Sequence, residues 1–544
     1  MSSEMDPLIL LVLCSAFVLR VLPRLILKNA ICSDAYFHLS MARAIRDNGH
    51  RIPDTIPRVI LPHRYAYPYL YHWLVSFLSE KNRLRFERIS GAAIDTLYVF
   101  VSYLFVNWML SEAGFSEYGE TMALWTAFLV AIAPGLLRVG TGPRAYHGSP
   151  RPLGQLLFLI YMCSFVLFSL SHNGRWLLLS FLAAVLIVIT SKFTNQVAVF
   201  FGLLLCLMGN FVPLVTFVTG FLFAGIITNG RAFRVVRTQV EYSIFYFKHL
   251  QKRYLYPGVR NMVAYLGSLG SCLKSMVYFT KTVFRDRSGI DHLIRGLVWL
   301  FTETYWPHLI LSSFPQVVII IIFSISWHEC TNIAPGVSSL GALFGPWIVV
   351  SFAWMIITSL KPFLFLGEAV RYVENTVMPQ ILLLTIFAFA LNKPWTLRVI
   401  FIYSLISYVM YVKIYYDSHK MEKNIFDNFL PMLSKIDQPG TRIFGIGTIF
   451  WALLYGTHRA DILCPMSGMD IRDRKVVSGN YPLPGVKIRE LVDKYQIEFL
   501  VGSELSIEHY EKVLDDTVFS QGEFVLVDSR DVFRIYSCAK AVYS

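Results

Sequence analysis

Apolar runs near the length that crosses a bilayer recur along the chain, at 7–27, 90–111, 121–137, 152–171, 175–191, 195–209, 211–228, 308–326, 338–359, 376–392 and 396–415. A spanning helix needs roughly 20 predominantly apolar residues, so these runs predict an α-helical polytopic membrane protein with about 11–13 spans. The stretch 289–302 is read as a further short or re-entrant one. A closed barrel would show alternating segments of ~10 residues, and none are evident. Between the first two runs lies a long, mostly non-spanning segment, 28–88, amphipathic near 33–46 and briefly apolar at 65–78. From 418 the apolar runs shorten to strand length. They predict strands at Arg442–Ile446, Ile497–Val501, Phe524–Val527 and Val532–Tyr536, a helix at Lys487–Lys494 started by Pro484-Gly485, and a hairpin turn across Val527–Val532. The alternation predicts a transmembrane domain over 1–417 and a small soluble α/β domain over 418–544.

Composition agrees. Apolar residues make up 55% of the chain, and mean hydropathy is +0.52. The net charge of +13 is concentrated in 230–290, where eleven Lys and Arg residues (Arg231 to Arg287) face only Glu241 and Asp286. Such a segment reads as a positive-inside loop, a patch on anionic headgroups, or a surface that collects a phosphate-bearing lipid. Eight scattered cysteines without a CxxC pair suggest neither a zinc site nor a disulfide framework. The residues before Leu8 include Glu4 and Asp6 but no Lys or Arg, so the first span is expected to stay as an anchor. There is no GxGxxG, Walker lysine loop or nucleic-acid module, and no nucleic-acid partner is expected.

The candidate chemistry lies beside the spans. Ser33-Asp34-Ala35-Tyr36-Phe37-His38-Leu39 follows the first one. A carboxylate held there is costly near lipid and calls for a metal, a proton or a substrate. Pro53, Pro57 and Pro62 lead on to Tyr65-Ala66-Tyr67-Pro68-Tyr69-Leu70. Arg138, Arg144, His147 and Arg151 crowd the loop between two spans, Glu303 lies in Phe301–Trp306, and Glu368, Arg371, Tyr372 and Glu374 cluster further on. Each has a plain structural reading: Asp34 as a helix cap, Glu303 as an interface carboxylate, Arg371 as a snorkelling side chain or a partner of Glu368. Together they supply what sugar transfer from a lipid phosphate requires. A carboxylate deprotonates the acceptor, and cations or a metal stabilise the departing phosphate.

On these residues the chain resembles GT-C-type membrane glycosyltransferases, in the branch of the catalytic subunit of oligosaccharyltransferase. Asp34–Leu39 is similar to the acidic motif of that family's first external loop, where the Asp binds metal and contacts the acceptor. Ala133-Pro134-Gly135-Leu136-Leu137-Arg138 resembles the start of its second external loop. Thr302-Glu303 falls where the family has a Ser-Glu or similar pair in a mobile loop. Gly367–Tyr372 resembles the helix whose Arg meets the lipid-linked pyrophosphate. The resemblance implies Asp34 and Glu303 as catalytic residues and as ligands of any Mg²⁺ or Mn²⁺. It implies His38, Tyr67, Arg138, Arg144, His147, Arg151, Glu368, Arg371 and Tyr372 as substrate-binding residues.

The chain also departs from that pattern. Tyr146-His147-Gly148-Ser149-Pro150-Arg151 holds no carboxylate where the family has an acidic cluster, which makes an octahedral oxygen shell harder to complete. The Trp-Trp-Asp-Tyr-Gly motif is absent, and Trp451-Ala452-Leu453-Leu454-Tyr455-Gly456 is no substitute. The resemblance therefore implies an enzyme that moves a sugar from a polyprenyl-phosphate donor onto a glycan, lipid or protein acceptor. The resemblance further implies that the first loop, the second loop and the segment after the seventh span are extracytoplasmic, which puts the site on that face of the cell membrane. With the N-terminus inside, 28–88, 138–151 and 230–290 fall on that side, against a simple positive-inside reading of Arg231 to Arg287. A transporter or flippase of a lipid-linked sugar is the alternative. Internal repeats or paired Gly- or Pro-broken spans would favour it, and no convincing repeat is found.

Overall fold

A computed structural model describes residues 7–115, 118–137, 147–250, 315–321, 324–325, 336–367, 369–466, 468–469, 487–514 and 523–538, with single positions at 270, 274, 277 and 519. The helices of the membrane part are α1 (Pro7–Ile26), α4 (Glu80–Glu112), α5 (Gly119–Ala131), α6 (Pro134–Leu137), α7 (Pro150–Ser171), α8 (Gly174–Thr190), α9 (Lys192–Leu207) and α10 (Val212–Ile227). The long 28–88 segment holds α2 (Ser33–Asp47) and α3 (Leu70–Ser76). After α10 come α11 (Arg231–Phe245), α12 (Gly336–Ser359), α13 (Val370–Glu374), α14 (Val377–Ala390) and α15 (Trp395–Ser418). Among the described residues six helices are long and apolar enough to cross a membrane, or seven if α10 and the helix after it form one span bent by 117°. The chain is a multi-pass helical membrane protein.

Hydropathy located these helices but not all of their ends. α4 begins at Glu80, well before the apolar run, because Ser79 caps it by accepting from Asn82 N at 3.4 Å. Its first turns, with Arg83 and Glu87, extend the helix beyond the apolar stretch. The run at 121–137 is broken into α5 and α6 at Pro134, which cannot continue the helix before it. The runs at 289–302 and much of 308–326 lie outside the described residues.

Buried ion pairs tie the bundle together. Arg20 on α1 meets Asp95 on α4 at 3.2 Å and donates to the Ala131 carbonyl of α5 at 2.6 Å. Arg24 meets Glu87 at 2.6 Å.

After α15 the chain forms a sheet of β1 (Arg442–Gly445), β2 (Asp461–Leu463), β3 (Phe499–Ser503), β4 (Val525–Arg530) and β5 (Phe533–Ser537), in the order β2-β1-β3-β5-β4. β1 pairs in parallel with β2 and β3, and β5 is antiparallel to β3 and β4. Helices α16 (Phe450–Gly456), α17 (Ile488–Tyr495) and α18 (Glu504–Leu514) complete the α/β domain. The expected strands are there. β2 went unread because three residues carry no pattern.

The first loop and this domain share one core. Ile31, Ala35, Tyr36, Phe37, Ile56, Leu61 and Tyr65 pack with Phe444, Leu453, Ile462 and Leu500, while the membrane helices enclose a second core.

Candidate active site

Asp34 opens α2. The sequence allowed it to be the helix cap, but Cys32 takes that place, its Sγ accepting from Ala35 N at 3.4 Å. Asp34 sits in the first turn, exposed, where a carboxylate suits the positive end of the helix. Every residue from Ala35 to Ile45 is buried. Asp34 is thus the polar front of a helix otherwise packed into protein.

Tyr67 marks where three segments meet. Burial pushes its hydroxyl pKa up, the Asp34 carboxylate adds to that rise, and the Arg371 guanidinium opposes it. Its ring lies 5.0 Å from Phe37 and 6.0 Å from His38, and Lys192 Nζ stands 4.5 Å from its centroid. Arg371 lies 5.6 Å over the ring of Phe193. Lys192 and Phe193 begin α9, where Ser191 accepts from Thr194 N at 3.3 Å. Tyr67 therefore packs between Phe37, three residues after Asp34 on α2, and Lys192, whose neighbour Phe193 lies under Arg371. A carboxylate and two cations on neighbouring segments offer the groups that acid–base work on an anionic substrate needs.

Arg371 is placed by its own helix. Gln196 Nε2 donates to the Tyr372 hydroxyl at 2.6 Å and to the Leu366 carbonyl at 2.7 Å. Glu374 accepts from Arg151 at 2.5 Å and from Gln155 at 2.9 Å. Arg151 and Tyr372 thus hold α13 against α7 and α9, and the Arg151 guanidinium is engaged by Glu374.

Two expected residues sit deeper. His38 Nδ1 lies 2.8 Å from His72 Nε2, and burial keeps both imidazoles neutral, with His72 pushed down to about 3. His38 braces the Tyr65–His72 segment. His147 faces a separate buried group: it lies 3.7 Å from Glu87, whose Oε1 also accepts from Gly148 N at 3.2 Å, and its ring is 5.2 Å from that of His419. Arg138, Arg144, Glu303 and Glu368 lie outside the described residues.

Glu422 Oε2 lies 3.8 Å from His419 Nε2, and burial raises its carboxyl to about 8, with Arg24 opposing. A carboxyl raised from 4.5 on folding stabilises the fold fully below 4.5, and that contribution is lost as pH rises through 8. Glu422→Gln should therefore raise Tm most at pH 9, by less at pH 6, and change it little at pH 4. A Tm series across pH in detergent checks this, and parallel curves for the two proteins would refute it.

Among the described residues no three His, Cys, Asp or Glu side chains come together as a metal shell. The charged groups acting on Tyr67 beside Asp34 are cations, not further oxygen ligands. The described residues thus do not assemble a Mg²⁺ or Mn²⁺ site.

Sequence reading missed Lys192 and His72. A lysine in the short Ser191-Lys192 break between two apolar runs was the available signal. Counting spans puts that break on the same side as 28–88.

No family model and no curated protein matches the sequence. Among solved structures, the Archaeoglobus fulgidus oligosaccharyltransferase in complex with Zn and sulfate gives a TM-score of 0.53 at 12% identity, over 95% of this chain and 71% of that one. ArnT from Cupriavidus metallidurans bound to undecaprenyl phosphate gives 0.52 at 11% identity, over 99% of both chains. The same oligosaccharyltransferase tethered with an acceptor peptide containing the NVT sequon gives 0.52 at 11% identity, over 99% of this chain and 75% of that one. At such identities the likeness is one of fold, and the chain has the GT-C membrane fold that these structures share.

Proposed function

We propose that the chain is a membrane glycosyltransferase that moves a sugar from a polyprenyl-phosphate-linked donor to a hydroxyl of a glycan, lipid or protein on the extracytoplasmic face. The observation that carries this reading is the packing of Tyr67, which touches Phe37 of the Asp34-bearing helix at 5.0 Å and Lys192 at 4.5 Å, with Arg371 over the adjacent Phe193. Asp34 takes the proton of the acceptor hydroxyl as its oxygen bonds to the sugar's anomeric carbon. The bond from that carbon to the phosphate oxygen breaks, and Arg371 and Lys192 hold the released phosphate. Support comes from two proteins of the same fold, one bound to undecaprenyl phosphate and the other tethered to an acceptor peptide.

Asp34, Tyr67, Lys192 and Arg371 lie in loops and near helix ends, which favours transfer over a flippase or transporter with a midplane site. Flux of a labelled lipid-linked sugar without any new glycosidic bond would reverse that preference.

Losing a charge-assisted hydrogen bond costs about 1.5–3 kcal/mol, or roughly 10- to 150-fold in affinity. Arg371→Met should weaken binding of polyprenyl phosphate to the purified protein by about that factor, read by calorimetry in nanodiscs. Undiminished binding would remove Arg371 from the donor site.

A further inference from the structure

The segments that carry Asp34 and Arg371 belong to different cores. α2 is packed into the core of the C-terminal domain, whereas Tyr372, next to Arg371, belongs to that of the membrane helices. Something must hold the two in register.

The stretch 58–63 of the first loop lies along the edge of the C-terminal sheet. Val59 bridges Ile462 of β2 in parallel, with Ile462 N donating to the Arg58 carbonyl at 2.7 Å and Ile60 N to the Ile462 carbonyl at 3.0 Å. His63 bridges Met469, and Arg64 N donates to the Gly468 carbonyl at 3.4 Å. A Cβ at Gly468 would stand 2.0 Å from the Arg64 carbonyl oxygen, so only glycine allows this approach. Within the loop, His63 Nε2 accepts from Ile56 N at 2.8 Å while Nδ1 donates to the Leu61 carbonyl at 2.9 Å.

Arg43 joins all three parts. It lies on α2, its Nη1 donates to the Tyr455 carbonyl of α16 at 2.7 Å, and its guanidinium stacks 4.7 Å over the Tyr455 ring. Its Nη2 donates to Glu80, the first residue of α4, at 2.6 Å. Nine residues of helix separate it from Asp34, about 13 Å of rise, so a tilt at one end moves the other.

We infer that Arg43 is a positioning residue: through it and the 58–63 strand, the C-terminal domain holds the Asp34 carboxylate against the Arg371 and Lys192 cations. The C-terminal domain is then part of the catalytic geometry rather than an accessory. This inference rests on the proposed transfer reaction only for its kinetic readout. A displacement of about 1 Å at reacting groups costs on the order of 100-fold in rate.

The test uses the full chain in nanodiscs, with Arg43→Met alone and on a background carrying Val59→Cys and Ile462→Cys. Oxidation of that pair bonds the loop strand to β2. Arg43→Met is expected to lower kcat by about 100-fold with the donor KM unchanged, because Arg371 and Lys192 stay on the membrane bundle. Oxidising the cysteine pair is expected to return kcat to within a few-fold, and reducing it to abolish the gain. Arg43→Lys, which keeps the charge but loses the two-pronged geometry, gives the same split to a smaller degree and serves if Arg43→Met does not fold. Hydrogen exchange of residues 33–47 should speed up in the single variant and slow again on oxidation, whether or not transfer is detected.

An unchanged kcat, kcat and KM moving together, unaltered exchange, or a cysteine pair that will not bond would each overturn the inference. A wild-type chain without transfer but with this exchange pattern would instead overturn the proposed function and leave the positioning role standing.

Discussion

Asp34→Asn is expected to lower kcat for sugar transfer by roughly 1,000-fold, within the range that a positioned acid–base group contributes. Asparagine fills the same volume but cannot take the acceptor's proton. The variant should still fold and insert. Asp34 is exposed, Cys32 rather than Asp34 caps α2, and the lost helix-end charge is worth only about 0.3–1 kcal/mol. Polyprenyl phosphate should bind the variant as tightly as it binds the unmodified chain, since the cations are untouched. Transfer of a labelled sugar, measured beside lipid-phosphate binding, separates the two effects. Full activity in the variant would take the base role away from Asp34.

Arg20→Met is expected to cost about 3–5 kcal/mol in stability, because it leaves the Asp95 carboxylate facing an apolar side chain inside the bundle. Both side chains are almost completely enclosed, at 0% and 1% exposure. Arg20 also donates to the carbonyls of Ala16 and Ala131, so α1, α4 and α5 meet at this one guanidinium. Arg20→Met with Asp95→Leu should recover most of the loss, since replacing both members of a buried pair with apolar groups is often neutral. Thermal unfolding of the three proteins in one detergent compares them. Equal Tm values for the single and double variants would mean that the pair contributes nothing specific.

The site was legible in part. Asp34 stood out because a carboxylate directly after an apolar run is costly unless it has work to do. Arg371 stood out as a cation beside a span, and its guanidinium lies over Phe193 next to the Lys192 that reaches Tyr67. Arg151 looked equally suited to phosphate, yet Glu374, more than two hundred residues away, engages it. The resemblance implied His38 as a substrate-binding residue, but His72 and the aromatic rings around it enclose it. Charge and residue type are read from the chain one position at a time, whereas a partner is supplied from elsewhere in it.

The amino-acid order alone determined the membrane helices, the sheet domain and the loop that carries Asp34. Each follows from a local quantity: the length of an apolar run, the period of an alternation, or a charge beside a span. Tertiary structure alone decided that 58–63 lies beside β2, that Lys192 reaches Tyr67, and that Arg43 joins α2 to both α16 and α4. These are pairings between segments far apart in the chain. Their free energy comes from apolar surface and hydrogen-bonding groups that find partners only once the helices and the sheet have packed.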